Sequence, residues 1–338
     1  MLLSLVSTIL SSFFMAVMVV ADKLMLKNCY DGSTKSAWFV SSVAGSVLGL
    51  CLTFISWLLT SEFSNNGSLS EIINVTINLF FWEGFLIFIS GVLAIQILYH
   101  YFVCFSEDAH AATISGWIAA TPLIIYGASF PIDFLLNQVS SNYSQLDSSF
   151  DYRFLFGVIF ATCGLVFFEL VTNDKIKIKK RQRIHLILML LTNVLYTVMV
   201  EYTLSLQNDE YSREMYLLAL LPYFWLGFGA GIRILIKERN RIIIKHIWTI
   251  SIKKYIAIIF FVEIIGMLVF FFEYFGLSEL QASYVSLVLG AHIIIVYIID
   301  FFLDRENQGK NLSTIIKEVL FLLMAIIGIS ISTLYIFK

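Results

Sequence analysis

Apolar residues in this chain do not alternate with polar ones. They run on for about 20 residues at a time, from one end of the sequence to the other. Ten such segments lie at roughly 2–22, 36–59, 78–102, 110–135, 152–172, 184–206, 214–236, 254–276, 280–303 and 314–337, each long enough for a hydrocarbon core of about 30 Å. Backbone polar groups cannot go unpaired in lipid, so each segment is expected to be helical. The strands of a membrane barrel would alternate over about 10 residues, which these runs do not do. The pattern therefore predicts an all-α membrane protein with about ten transmembrane helices. Residues 2–22 lack the basic start and small-residue cleavage site of a signal peptide, so they are read as a retained helix.

Composition agrees with this pattern. Of 338 residues, 59% are hydrophobic and 14% charged, against about 45–50% and about 25% in soluble domains. The net charge of −2 excludes little; the placement of the charges is more informative. Lys175, Lys177, Lys179, Lys180, Arg181 and Arg183 follow the fifth segment, and Lys237, Arg239, Arg241, Lys245, Lys253 and Lys254 follow the seventh. The polar connections after the second and fourth carry no Lys or Arg. Basic connections stay cytoplasmic, which puts the loops after odd-numbered segments inside and both termini outside. The expected setting is integral and multi-pass, in the cell (inner) membrane or, in a eukaryote, an organelle membrane. The four cysteines show no metal-ligand spacing.

The two halves of the chain echo each other. Met15-Ala-Val-Met-Val-Val20 matches Tyr196-Thr-Val-Met-Val-Glu201, Phe105-Ser-Glu matches Leu277-Ser-Glu, and Ala161-Thr-Cys-Gly164 matches Ala325-Ile-Ile-Gly328. The shared order predicts a duplication: a first five-helix repeat at 1–174, a basic linker at 175–183 and a second repeat at 184–338. Because five is odd, the second unit would be inserted upside down, and inverted repeats place a solute site near the membrane midplane between them.

Three features resemble the drug/metabolite transporter superfamily in its ten-helix, EamA-like form. They are the opening helix ending Ala21-Asp-Lys-Leu-Met-Leu-Lys27, the unit from Leu98-Tyr-His-Tyr101 through the small-residue break to Ala120-Thr-Pro-Leu123, and the glycine-containing helix that closes each half at Gly164 and Gly328. The resemblance spans nearly the whole chain. It implies a secondary transporter of small organic solutes working by alternating access. The second half departs from the pattern by carrying His292 where the first has Pro122.

An ionisable residue at the middle of a spanning helix costs about 2.5–3.5 kcal/mol on insertion scales, so it faces a cavity or a partner. Glu83, Glu201, Glu263, Glu273 and His292 are the candidates for solute binding or proton coupling. Glu263 and Glu273 stand out because Ile and Phe surround them. Glu263, Met267, Phe270 and Tyr274 fall on one helical stripe. Thr113, Trp117 and Thr121 share another, and Asn193 shares one with Thr197 beside Tyr196. Trp117, Thr121, Asn193, Tyr196, Tyr223 and Tyr274 are the expected cavity-lining residues. Aromatics beside carboxylates suit an organic cation or a zwitterion.

No P-loop, H-E-x-x-H or G-x-S-x-G motif occurs, so no ATP-driven step, catalytic residue, metal or cofactor is expected. The expected partners are a small-molecule solute such as an amine or amino acid, a proton or other coupling ion, and membrane lipid. Nucleic acid is not among them, and a homodimer is left open. Two other classes compete with the transporter reading: a membrane-embedded transferase or hydrolase acting on lipid-linked substrates, and a non-transporting scaffold.

Overall fold

The computed structural model describes residues 2–63, 82–105, 121–125, 152–172, 180–205, 236–249, 253–277, 280, 282–303 and 312–336. Among them every regular element is helical and there is no strand. The helices are α1 (Leu2–Asn28), α2 (Thr34–Phe63), α3 (Trp82–Phe105), α4 (Tyr152–Thr172), α5 (Lys180–Ser205), α6 (Glu238–Ile247), α7 (Lys253–Leu277), α8 (Ala282–Gly290), α9 (His292–Leu303) and α10 (Leu312–Ile336). A further helical stretch covers 121–125. Four spans within these elements, Leu2–Asn28, Gln182–Glu201, Lys253–Leu277 and Ser313–Ser332, are long and apolar enough to cross a membrane. Shorter apolar helical stretches lie at Phe88–Cys104, Tyr152–Phe168 and Tyr284–Val296. The expected segments at 110–135 and 214–236 fall largely outside the described residues.

The helices show what a lipid solvent does to ordinary burial. Over residues 2–13 of α1 the buried side chains are Ser4, Ser7, Thr8, Ser11 and Ser12, while Leu2, Leu3, Val6, Ile9 and Phe13 are exposed. Lipid is as apolar as leucine, so burying leucine there drives nothing. Small side chains that let backbones approach are instead turned toward neighbouring helices. Accordingly α1 packs along α7, where Ser11 Oγ donates to the Val269 carbonyl at 2.7 Å. A Cβ at Gly276 of α7 would strike the Thr8 hydroxyl.

The closest helix pair is α4 with α10. A Cβ at Gly164 would sit 2.6 Å from the Ala325 nitrogen, and one at Gly328 would overlap the Ala161 backbone. Further along the same seam, Gly157 lies against Ser332. The third extended pair is α3 with α5, pinned by His100 Nδ1 and His185 Nδ1 at 2.8 Å.

Three details differ from the sequence expectations. The ninth segment is not one helix but two, α8 and α9, with a turn at Ala291. There the Ala291 N–H bonds to the Val288 carbonyl at 3.1 Å, and His292 Nδ1 takes the Leu289 carbonyl at 2.6 Å. A continuing α-helix would give those carbonyls to backbone N–H groups four residues on. The basic link after the seventh segment is also not plain loop, because it contains α6. This short helix buries Asn240 and Ile244 and exposes Arg239, Arg241, Lys245 and Ile242. Lys35 Nζ, at the start of α2, donates to Asn240 Oδ1 at 3.2 Å, so the α1–α2 turn and the basic α6 share one end of the molecule. Finally, the sixth segment begins earlier than expected, since α5 takes in the last residues of the basic run at 175–183.

Candidate functional site

The packing of α1 on α7 and of α3 on α5 leaves a central cavity of about 140 Å³. Residues of α1, α2, α3, α5, α7, α8 and α9 and of the stretch 121–125 line it, so both halves of the chain contribute. Three acids face this space. Asp22 comes from α1, and Glu263 and Glu273 come from α7. Asp22 and Glu273 are buried, and Glu263 is half-buried. No lysine or arginine is among the described lining residues.

Each acid has a different setting. Asp22 Oδ2 accepts the Tyr101 hydroxyl proton at 3.0 Å, a bond that ties α1 to α3. Ser41 of α2 lies beside the Glu263 carboxylate without a hydrogen bond of ordinary geometry. Glu273 sits one turn beyond Val269 and Phe270 on the same lining face. His292 is fully buried at the head of α9. Its Nδ1 meets a carbonyl, which only accepts, so Nδ1 carries the proton. That leaves Nε2 as an acceptor, and it has no partner among the described residues. The Ser42 hydroxyl, also on the wall, is buried and equally unpartnered. Buried polar atoms are normally paired, so the unpaired ones on three lining residues, Ser41, Ser42 and His292, offer polar contacts to a ligand.

The apolar wall is aromatic and thioether in character. Tyr196 stands edge-on to Phe270, with ring centroids 6.3 Å apart, and its hydroxyl bonds to that of Tyr274. Met15, Met18 and Met189 complete this side. Gly266 faces Met18, whose sulfur would lie 3.1 Å from a Cβ placed there.

Of the residues singled out in the sequence, Glu263, Glu273, His292, Thr121, Asn193 and Tyr196 all border the cavity. Asn193 Nδ2 lies 3.5 Å from Thr121 Oγ1, linking α5 to the 121–125 stretch. Tyr274 stands behind the wall, through Tyr196, and does not line it. Glu201 is half-buried on α5, away from the lining. The side chain of Glu83 and the whole of Trp117 and Tyr223 lie outside the described residues. The stripe on α7 is rotated from the expected one. Glu263, Gly266, Phe270 and Glu273 face the cavity, while Met267 is buried in the core.

Sequence reasoning missed Asp22, Tyr101, Ser41 and Ser42. Asp22 is the last residue of the expected first segment, 2–22, and is not among the candidates named from the sequence. A usable signal existed in Met15, Met18 and Asp22, which stand at i, i+3 and i+7 on one face.

No protein-family model matches the chain, and no curated protein matches it in sequence. Among solved structures, a crystal structure of a protein has the same overall fold, with a TM-score of 0.59 over 99% of this chain and 95% of that one at 10% identity. At that identity the likeness shows the fold alone.

Proposed function

We propose that this chain is a secondary transporter, similar to the drug/metabolite superfamily, that carries a small organic solute by alternating access. It would do so with ten spans arranged as two inverted five-helix repeats. The observation that carries this reading is the central cavity, walled by both halves of the chain and holding Asp22, Glu263 and Glu273 without a lysine or arginine among its described lining. Intramembrane acids mark solute and ion pathways, because their burial is too costly to persist without a role or a partner.

The helix pairing supports the repeat. Matching α1 with α5, α3 with α7 and α4 with α10 turns the α1–α7 pair into the α5–α3 pair and leaves α4–α10 unchanged. The seam between α4 and α10 behaves in the same way. Ala161 and Gly164 match Ala325 and Gly328, and the contacts are Ala161 with Gly328 and Gly164 with Ala325. Such exchanged contacts are what a two-fold axis between equivalent units produces. The turn at Ala291 supports it too, since transporter sites are commonly built at interrupted helices. In this reading Glu263, Glu273 and His292 carry charge recognition or proton coupling, and Asn193, Thr121 and Tyr196 shape the pocket.

The test requires no knowledge of the solute. Cys29, Cys51, Cys104 and Cys163 are replaced by serine or alanine, single cysteines are placed at Leu98 and Met189, and the protein is sealed into vesicles. A membrane-impermeant maleimide should label each site from either side of the membrane. Labelling from one side alone, or from neither, overturns alternating access.

A further inference from the structure

The wall of the cavity specifies more about its ligand than size. We infer that it binds a protonated primary or secondary amine on an apolar body no larger than about a benzene ring; this rests on reading the cavity as the solute site. Volume sets the size: an engineered cavity of about 150 Å³ accepts benzene, and this one is about 140 Å³.

Charge sets the sign. Asp22, Glu263 and Glu273 all face the space, and no lysine or arginine answers them among the described lining residues. A carboxylate or phosphate ligand would meet three acids and no fixed cation among the described lining residues. An amino acid would satisfy the acids at one end but, among the described lining residues, find only neutral donors for its carboxylate.

Hydrogen bonding sets the class of cation. With Nδ1 committed to the Leu289 carbonyl, the Nε2 of His292, a cavity-lining residue, is a buried acceptor with no partner among the described residues. An ammonium that carries several N–H groups has donors both for this atom and for a carboxylate. A quaternary ammonium has no N–H and leaves it unsatisfied. The Phe270 and Tyr196 rings and the methionine sulfurs provide an apolar surface for the rest of the molecule, and the ring faces attract the cation.

The probe is benzylamine, with benzyltrimethylammonium, benzyl alcohol and benzoate of the same ring size as comparisons. Binding is measured by calorimetry and thermal shift on the full chain in nanodiscs at neutral pH. Benzylamine should bind and raise Tm, the quaternary compound should bind at least tenfold more weakly, and the alcohol and benzoate should give no shift. Glu263→Gln and Glu273→Gln should each weaken benzylamine at least tenfold, whereas Glu238→Gln, on the exposed face of α6, should leave it unchanged. Binding of benzoate or benzyl alcohol as tight as that of benzylamine overturns the inference, and the wild-type series decides this even if a variant misfolds. If none of the four compounds binds while two-sided labelling holds, the amine assignment fails and the transporter reading stands. One-sided labelling removes the transporter reading whatever binds.

Discussion

The Tyr101 hydroxyl donates to Asp22 Oδ2 at 3.0 Å, joining the C-terminal end of α3 to an acid near the end of the first helix. This bond satisfies one oxygen of a buried carboxylate and fixes its position at the edge of the cavity. Tyr101→Phe removes the donor and keeps the ring. Leaving a buried acceptor unpaired costs about 1–3 kcal/mol, so the variant should melt lower than the parent by that margin. Combining it with Asp22→Asn tests the pair directly. A coupling of about 0.5–3 kcal/mol is expected, and strictly additive losses would mean that the two side chains do not act together.

The Ser42 hydroxyl is buried, belongs to a cavity-lining residue and has no partner among the described residues. Ser42→Ala takes away an unsatisfied polar group, so the fold should be unharmed, or stabilised by up to about 1–2 kcal/mol. Benzylamine binding should weaken in the same variant. A loss of stability without loss of binding would assign Ser42 to packing alone.

Gly266 stands on the cavity wall opposite Met18, where an added Cβ would meet the Met18 sulfur at 3.1 Å. The neighbour is a flexible thioether, so Gly266→Ala should cost less than about 1.5 kcal/mol of stability. Gly266→Leu should fill the space, leaving a folded protein that no longer takes up benzylamine. Size-exclusion profile and calorimetry together check this. Undiminished binding in the leucine variant would place the ligand elsewhere.

Gly164 and Gly328 are expected to respond differently, because the groups they meet are backbone atoms that cannot swing away. Gly164→Ala and Gly328→Ala should each destabilise by about 1–3 kcal/mol or prevent folding, through overpacking of the seam between α4 and α10. Ile326→Ala, on the exposed face of α10, serves as the comparison and should be close to neutral. Equal melting temperatures for all three would show that the seam is looser than its contacts imply.

Much of the fold was legible in one dimension. Residues 152–172 read as a helix from their apolar length, and the structure has Tyr152–Thr172. The acids Glu263 and Glu273 were conspicuous because a bilayer makes a carboxylate in an Ile/Phe run costly, whatever surrounds it. Asp22 was less visible, since a lysine follows it and the expected segment, 2–22, ends there. In fact α1 continues to Asn28 and holds the side chain inside. The split at Ala291 was equally hidden. An interruption held by the His292 ring on a backbone carbonyl leaves no mark in hydropathy.

By itself, the sequence determined that the chain is helical and suited to a bilayer, which segments are apolar, and that ionisable residues sit inside them. Those properties follow from local chemistry: unpaired backbone groups and isolated charges are unfavourable in lipid wherever the chain passes. The tertiary structure alone decided which face of each helix turned inward. In lipid, apolar side chains gain little by facing one another, so small residues and a few hydrogen bonds set the rotation. That rotation put Asp22 beside Tyr101, turned Glu263 and Glu273 toward the same space as His292, and moved Tyr274 behind the wall. Asp22 of α1 and the two acids of α7 came to share one cavity only when α1 met α7 and α3 met α5.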